Sequence, residues 1–156
     1  MNIIKLVVSI GICLLAGGIG SIATYPSIPT WYAGLNRPAL SPPNWIFGPV
    51  WTTLFIMMGI ALYLVWQKGT EKKEIRNAMV IFGVQLILNT FWSILFFGMQ
   101  RPLYSFIEII FLWLAILATI ISFSKISKPA AWLLVPYILW VSFASYLNLT
   151  IYLVNR

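Results

Sequence analysis

The sequence predicts an all-α membrane protein: a bundle of five transmembrane helices carrying a proline-rich lid loop outside the bilayer. Three observations predict it. First, 61% of the 156 residues are hydrophobic and only 8% are charged, against roughly 45–50% and 25% in soluble domains, and the mean hydropathy is +0.93. Too little polar side chain is present to cover a water-facing globule. That excludes a soluble enzyme, a secreted disulfide scaffold, a disordered regulator and a coiled coil. Second, five segments reach the roughly 20 apolar residues that a spanning helix needs: 3–24, 45–66, 77–98, 103–124 and 130–154. Third, none of them alternates in polarity as a barrel strand does. Lipid cannot satisfy free backbone N–H and C=O groups, so the spans are helices. Together they make one domain, residues 1–156.

The first span opens with Lys5 and then runs apolar. Its small residues Ala16, Gly17, Gly20, Ser21 and Thr24 suit a helix packed closely against its neighbours. A signal peptide is the competing reading, with Lys5 as the charged region and Ser21-x-Ala23 as the cleavage site. The lone Cys13 cannot close an intramolecular disulfide and reads as a small buried thiol. Residues 25–44 form the one long connection. Its five prolines, Pro26, Pro29, Pro38, Pro42 and Pro43, fix φ and lower the entropy lost on ordering. This predicts a stiff lid over the outer end of the bundle. An interfacial aromatic belt also accounts for Trp31, Tyr32 and Trp45, but not for the prolines. Residues 67–76 read as a solvated turn, and 98–102 and 125–129 as tight antiparallel connections.

Charge sets the expected orientation. Lys5, Lys68, Lys72, Lys73, Arg76, Lys125 and Lys128 fall on one side; Arg37, Arg101 and Arg156 fall on the other. The seven-charge side is expected to be cytoplasmic, with the N-terminus inside and the lid and C-terminus outside. The net charge of +7 then belongs to loops that face cytoplasm and anionic lipid, not to a nucleic-acid surface.

Three stripes inside the spans carry the candidate chemistry. Gln85, Asn89, Trp92 and Phe96 share one face of the third helix. Trp140, Ala144 and Asn148 share one face of the fifth, with Leu147 beside them. Trp51, Phe55, Met58 and Leu62 share one face of the second. A side-chain amide in hydrocarbon needs a partner, so Gln85, Asn89 and Asn148 have two readings. They bond between helices, or they face a cavity in the outer half of the bundle. In the cavity reading Ala144 leaves room and the indoles give flat walls. Asn89 and the N–H groups of Trp51 and Trp140 then act as donors to a large, flat, mostly apolar ligand. Glu108, inside the fourth span, is expected to pair with Arg101 two turns earlier and to close the lid. Proton coupling is the other reading, but it lacks a second intramembrane acid or a histidine. No histidine and only three acids are present, so no metal site is expected.

The runs Trp31-Tyr32-x-x-Leu35-x-Arg37-Pro38-x-x-x-Pro42-Pro43-x-Trp45 and Phe47-x-Pro49-Val50-Trp51-Thr52 resemble the first-loop signature of the tryptophan-rich sensory protein/translocator protein (TspO/MBR) family, also called peripheral-type benzodiazepine receptors. Gln85-Leu86-x-Leu88-Asn89-x-x-Trp92-Ser93-x-Leu95-Phe96-Phe97-Gly98 is similar to its third-helix motif, and Leu134-x-Pro136-Tyr137-x-x-Trp140-x-x-Phe143-Ala144-x-x-Leu147-Asn148 to its fifth. The resemblance implies a five-helix bundle in a bacterial cell membrane, commonly homodimeric, with a pocket under the first loop. It implies ligands such as protoporphyrin IX and other tetrapyrroles, and benzodiazepine or isoquinoline-carboxamide compounds. Pocket positions carried over by motif are Tyr32, Pro42, Trp51, Asn89, Trp92, Trp140, Ala144 and Leu147. An acid at the position of Glu108 also matches family members. Leu149, Tyr152 and Arg156 fit a sterol-contact pattern. One departure concerns the dimer: Gly83 is followed four residues on by Ile87, not by the second glycine of the animal proteins' GxxxG.

Three functions compete. The first is a porphyrin-binding sensor or scavenger, with no required cofactor and with Arg37 and Asn148 beside the ring. Light- and oxygen-dependent breakdown of the porphyrin through Trp51 and Trp140 would make it an enzyme. The second is a transporter of amphipathic molecules. The third is a membrane scaffold whose pocket is incidental.

Overall fold

Prolines and caps decide where the helices start and stop. The computed structural model describes residues 1–156. Helix α1 (Ile3–Ser27) starts behind Asn2, whose Oδ1 accepts the Lys5 N–H at 3.2 Å. It runs three residues past the expected end, carrying Pro26 in its last turn, where a missing N–H forfeits a single bond. The lid follows, with one 3₁₀ turn at Tyr32–Gly34. Helix α2 (Asn44–Trp66) starts directly after Pro42 and Pro43. Helix α3 (Lys73–Ser93) starts four residues earlier than the apolar run, because Glu74 in its first turn suits the positive end of the helix dipole. It continues as a π-helical turn, Ile94–Gly98. Helix α4 (Pro102–Ser124) opens on proline, whose absent N–H would have had no partner in a first turn.

The fifth span is interrupted once. It consists of α5 (Lys128–Leu133) and α6 (Val135–Asn155), separated at Leu134. Pro136 explains the break. It has no N–H for the Trp132 carbonyl, and its ring crowds that carbonyl.

The helices alternate in direction, with α1 against α2, α3 against α4 and α4 against α6. Cys13, Met58, Phe82, Ile116 and Val141 lie in one continuous core. Outside it, Ile4, Ile22, Val80, Ile87, Phe111 and Leu139 are all exposed. A water-soluble bundle places polar residues there; hydrocarbon as solvent does not require them. All five spans are long and apolar enough to cross a bilayer.

The α1–α2 contact depends on glycine. A Cβ at Gly59 would lie 2.5 Å from the Cα of Ile10, which is backbone and cannot step aside. Overpacking costs about 1–3 kcal/mol where neighbours can move. Gly59→Val is therefore expected to lower the thermal midpoint in detergent and the yield of folded protein. Gly11→Val, where a Cβ meets nothing within 4 Å, serves as the control. Equal midpoints for the two variants would contradict the close approach.

Candidate functional site

The π-helical turn shapes the lid end of the bundle. Its Met99 N–H donates to the Ile94 carbonyl at 2.7 Å, and the Arg101 N–H to Leu95 at 3.0 Å, past Gln100 at φ 57°. The added residue per turn lets the adjacent rings Phe96 and Phe97 both turn inward and become buried. The lid sits on them. Trp31 meets Phe96 edge-on at 5.4 Å between ring centroids, and Tyr32 lies 5.6 Å from Phe97 and 6.2 Å from Phe47. Tyr32 is only 2% exposed, so it is the plug of this end.

Below the plug lies a cavity. The centre of a water molecule can reach ≈ 280 Å³ of it, far more than the roughly 10–15 Å³ that one buried water needs by that measure. It is therefore larger than a packing defect. Eight of the ten expected ligand positions line it: Tyr32, Trp51, Asn89, Trp92, Trp140, Ala144, Leu147 and Asn148. Trp51 and Trp140 stand at 89° with centroids 6.5 Å apart, making two perpendicular walls.

Arg37 and Pro42 do not line the cavity. The Arg37 guanidinium lies 4.7 Å from the Tyr32 ring centroid and donates to Asn44 Oδ1 at 3.4 Å. It is exposed and belongs to the outside of the plug. Pro42 ends the lid just ahead of α2. Residues the sequence reading missed come mainly from α1: Gly17, Gly20, Ser21 and Thr24 line the cavity, with Phe97. Their small size was visible in the sequence, but such a stripe reads equally as a packing surface.

Two polar clusters decide which donors remain free. Asn148 Oδ1 accepts from Trp92 Nε1 and from Ser105 Oγ, each at 3.0 Å, and Asn148 Nδ2 donates to the Pro102 carbonyl at 2.8 Å. It thereby ties α3, α4 and α6 together. Asn89 Nδ2 donates to Tyr137 Oη at 2.6 Å, and Tyr137 Oη donates to Gln85 Oε1 at 2.7 Å. One of the two N–H groups of the Asn89 amide is thus taken by Tyr137. Trp140 Nε1 is buried and has no partner, although it stands in the cavity wall. A buried donor without an acceptor is costly.

The lid is not closed by Glu108 and Arg101. Both Glu108 carboxylate oxygens are buried without a partner. Arg101 is exposed, and its backbone (φ −118°, ψ 79°) lies outside the helix, so the two-turn spacing does not place it on the stripe of Glu108. Asn36 and Asn155 take that role. The Asn36 N–H donates to Asn155 Oδ1 at 3.0 Å, and Asn155 Nδ2 donates to the Asn36 carbonyl at 2.7 Å. Tyr152 and Arg156 border a shallow cleft with Arg101 and Tyr104; Leu149 is not part of it.

The sequence pattern of the TspO/MBR family matches residues 9–153. The chain is 49% identical to the tryptophan-rich protein TspO of Chlorobaculum tepidum, covering 99% of this chain and 98% of that one. It is 48% identical to the protein of the same name from Archaeoglobus fulgidus, covering 99% of each. It is 39% identical to the translocator protein of Ovis aries, covering 76% and 70%. With its five spans, the chain is an integral multi-pass membrane protein of the sensor or transporter class and belongs to the TspO/MBR family.

Proposed function

We propose that the cavity binds a flat, mostly apolar ring with a few acceptors, a porphyrin such as protoporphyrin IX, and that the protein acts as a membrane sensor or scavenger of it. Benzodiazepine and isoquinoline-carboxamide compounds fit the same description. The observation that carries the reading is the unpartnered Trp140 N–H in an otherwise aromatic wall. An aliphatic lipid tail offers that donor nothing, whereas a ring carbonyl, ring nitrogen or carboxylate does. Titration of purified protein with protoporphyrin IX in the dark tests it. Trp140→Phe keeps the wall and removes the donor, so affinity is expected to fall by about 0.5–1.5 kcal/mol, roughly two- to twelve-fold. Unchanged affinity would take the donor out of recognition, and no binding by wild type would end the reading.

Illumination extends the same titration to turnover. Indoles are readily oxidised, and Trp51 and Trp140 are the proposed electron donors to an excited porphyrin. Light- and oxygen-dependent loss of the porphyrin band is expected, slowed in Trp51→Phe and Trp140→Phe. Bleaching at the rate of detergent alone would leave a binder without catalysis. Transport of an amphipathic molecule is the alternative, and counterflow in sealed vesicles distinguishes it.

We further propose that the protein lies in a cell membrane with its lid outside. The support is that Lys5, Lys68, Lys72, Lys73, Arg76, Lys125 and Lys128 gather at the opposite end of the bundle. A cysteine at Ala39, in a Cys13→Ser background, is expected to react with an impermeant maleimide in intact cells. Reaction only after lysis would reverse the orientation.

A further inference from the structure

We infer that the cavity loads sideways from the bilayer, through a window in the seam between α1 and α2; the inference rests on the reading of the cavity as a ligand site. The two antiparallel helices meet at three levels. A Cβ at Gly59 would lie 2.5 Å from Ile10 Cα, one at Gly17 would lie 2.7 Å from the Phe55 ring, and one at Gly48 would lie 3.1 Å from Tyr25 Oη. Between the last two levels the seam is open. Gly18, Ser21 and Thr52 line the cavity there, and Gly18 and Thr52 are exposed while Ser21 is half-buried. Cavity-lining residues this accessible mark a gap in the wall. A Cβ at Gly18 would meet nothing within 4 Å, so nothing fills that gap. Phe55 forms its sill and the Tyr25 hydroxyl its upper edge.

The surroundings settle which solvent the window meets. Ile19 and Ile22, next to it on α1, are exposed apolar side chains within a span of 25 residues, so the window opens on hydrocarbon. The lid end is shut by comparison. Tyr32 plugs it, and the reciprocal bonds of Asn36 and Asn155 hold the lid down. A solute arriving from water must lift the lid; one dissolved in the bilayer needs only to pass three small side chains. The ligand class is thereby narrowed to planar amphiphiles that partition into membranes before they bind.

The test uses the full-length protein in lipid nanodiscs, with Gly18→Trp as a plug and Gly11→Trp as the matched control on the same helix. Both sites have open space for a side chain, and Gly11 lies outside the cavity wall. A cysteine at Ala144, in a Cys13→Ser background, reports access to the cavity by its alkylation with membrane-partitioned N-phenylmaleimide. Alkylation is expected to slow by about tenfold or more with Gly18→Trp and to be unaffected by Gly11→Trp. Gly18→Leu is read by the same criterion if the tryptophan variant does not assemble. Equal rates in plug and control would overturn the window, whatever porphyrin does. Protoporphyrin IX association and dissociation are expected to slow in the same proportion with the plug. A raised Kd with an unchanged association rate would also overturn the proposal, because Gly18 would then belong to the site and not to its entrance. If wild type binds no porphyrin while alkylation stays gated, the porphyrin reading fails and the window stands.

Discussion

Ala144→Phe is expected to abolish protoporphyrin IX binding, raising Kd by at least about 100-fold, or roughly 2.7 kcal/mol, while the protein still folds. Ala144 is half-buried and lines the cavity with Trp140 and Leu147 on α6. A phenyl group grown from it enters the cavity, where open volume exists, and not the packed core. The fold therefore escapes most of the 1–3 kcal/mol or so that overpacking a closed core costs, and the ligand loses its space. Equilibrium titration beside a thermal melt checks both halves. Undiminished affinity in a well-folded variant would show that α6 does not form the binding wall.

Asn148→Leu is expected to damage the fold itself. The substitution keeps the branched shape but strands Trp92 Nε1, whereas Ser105 Oγ keeps its bond to the Pro102 carbonyl at 3.0 Å. Each buried unsatisfied group costs about 1–3 kcal/mol in water-soluble proteins. Inter-helix hydrogen bonds in membranes average nearer 0.6 kcal/mol, because the unfolded helices also find partners. With one donor stranded, a loss of about 1–3 kcal/mol is expected on these scales, visible as a fall of the thermal midpoint in detergent. Gln85→Leu makes a useful comparison, since it removes the acceptor of Tyr137 Oη without touching the cavity lining. Asn148→Leu at the wild-type midpoint would mean that the three-helix tie contributes nothing.

These two side chains show how the site could be read ahead of the structure. Trp140, Ala144 and Asn148 share a helix face by spacing alone, and so do Asn89 and Trp92 on α3. Once the helices were placed, which of these residues meet was already constrained. The same spacing argument failed for Glu108 and Arg101, because it holds only where both residues are helical and Arg101 is not. It also missed Phe97, since a π-helical turn adds one residue without any change in composition to announce it. The contribution of α1 stayed hidden for a different reason. Gly17 and Gly20 are small whether a helix packs there or a cavity opens, and only the neighbours Phe55 and Ser93 distinguish the two.

The sequence by itself determined the solvent, the number of spans, their boundaries to within a few residues and the faces that carry indoles and amides. All of these are local: hydropathy, proline position and helical period act over a few turns, and lipid enforces them by leaving no other way to satisfy the backbone. The tertiary structure alone decided the pairings. Asn148 captures the indole N–H of Trp92 and leaves that of Trp140 free. The lid is latched by two asparagines 119 residues apart. Such choices depend on competition among polar groups brought together from distant segments, and a hydrogen bond taken by one partner is lost to every other.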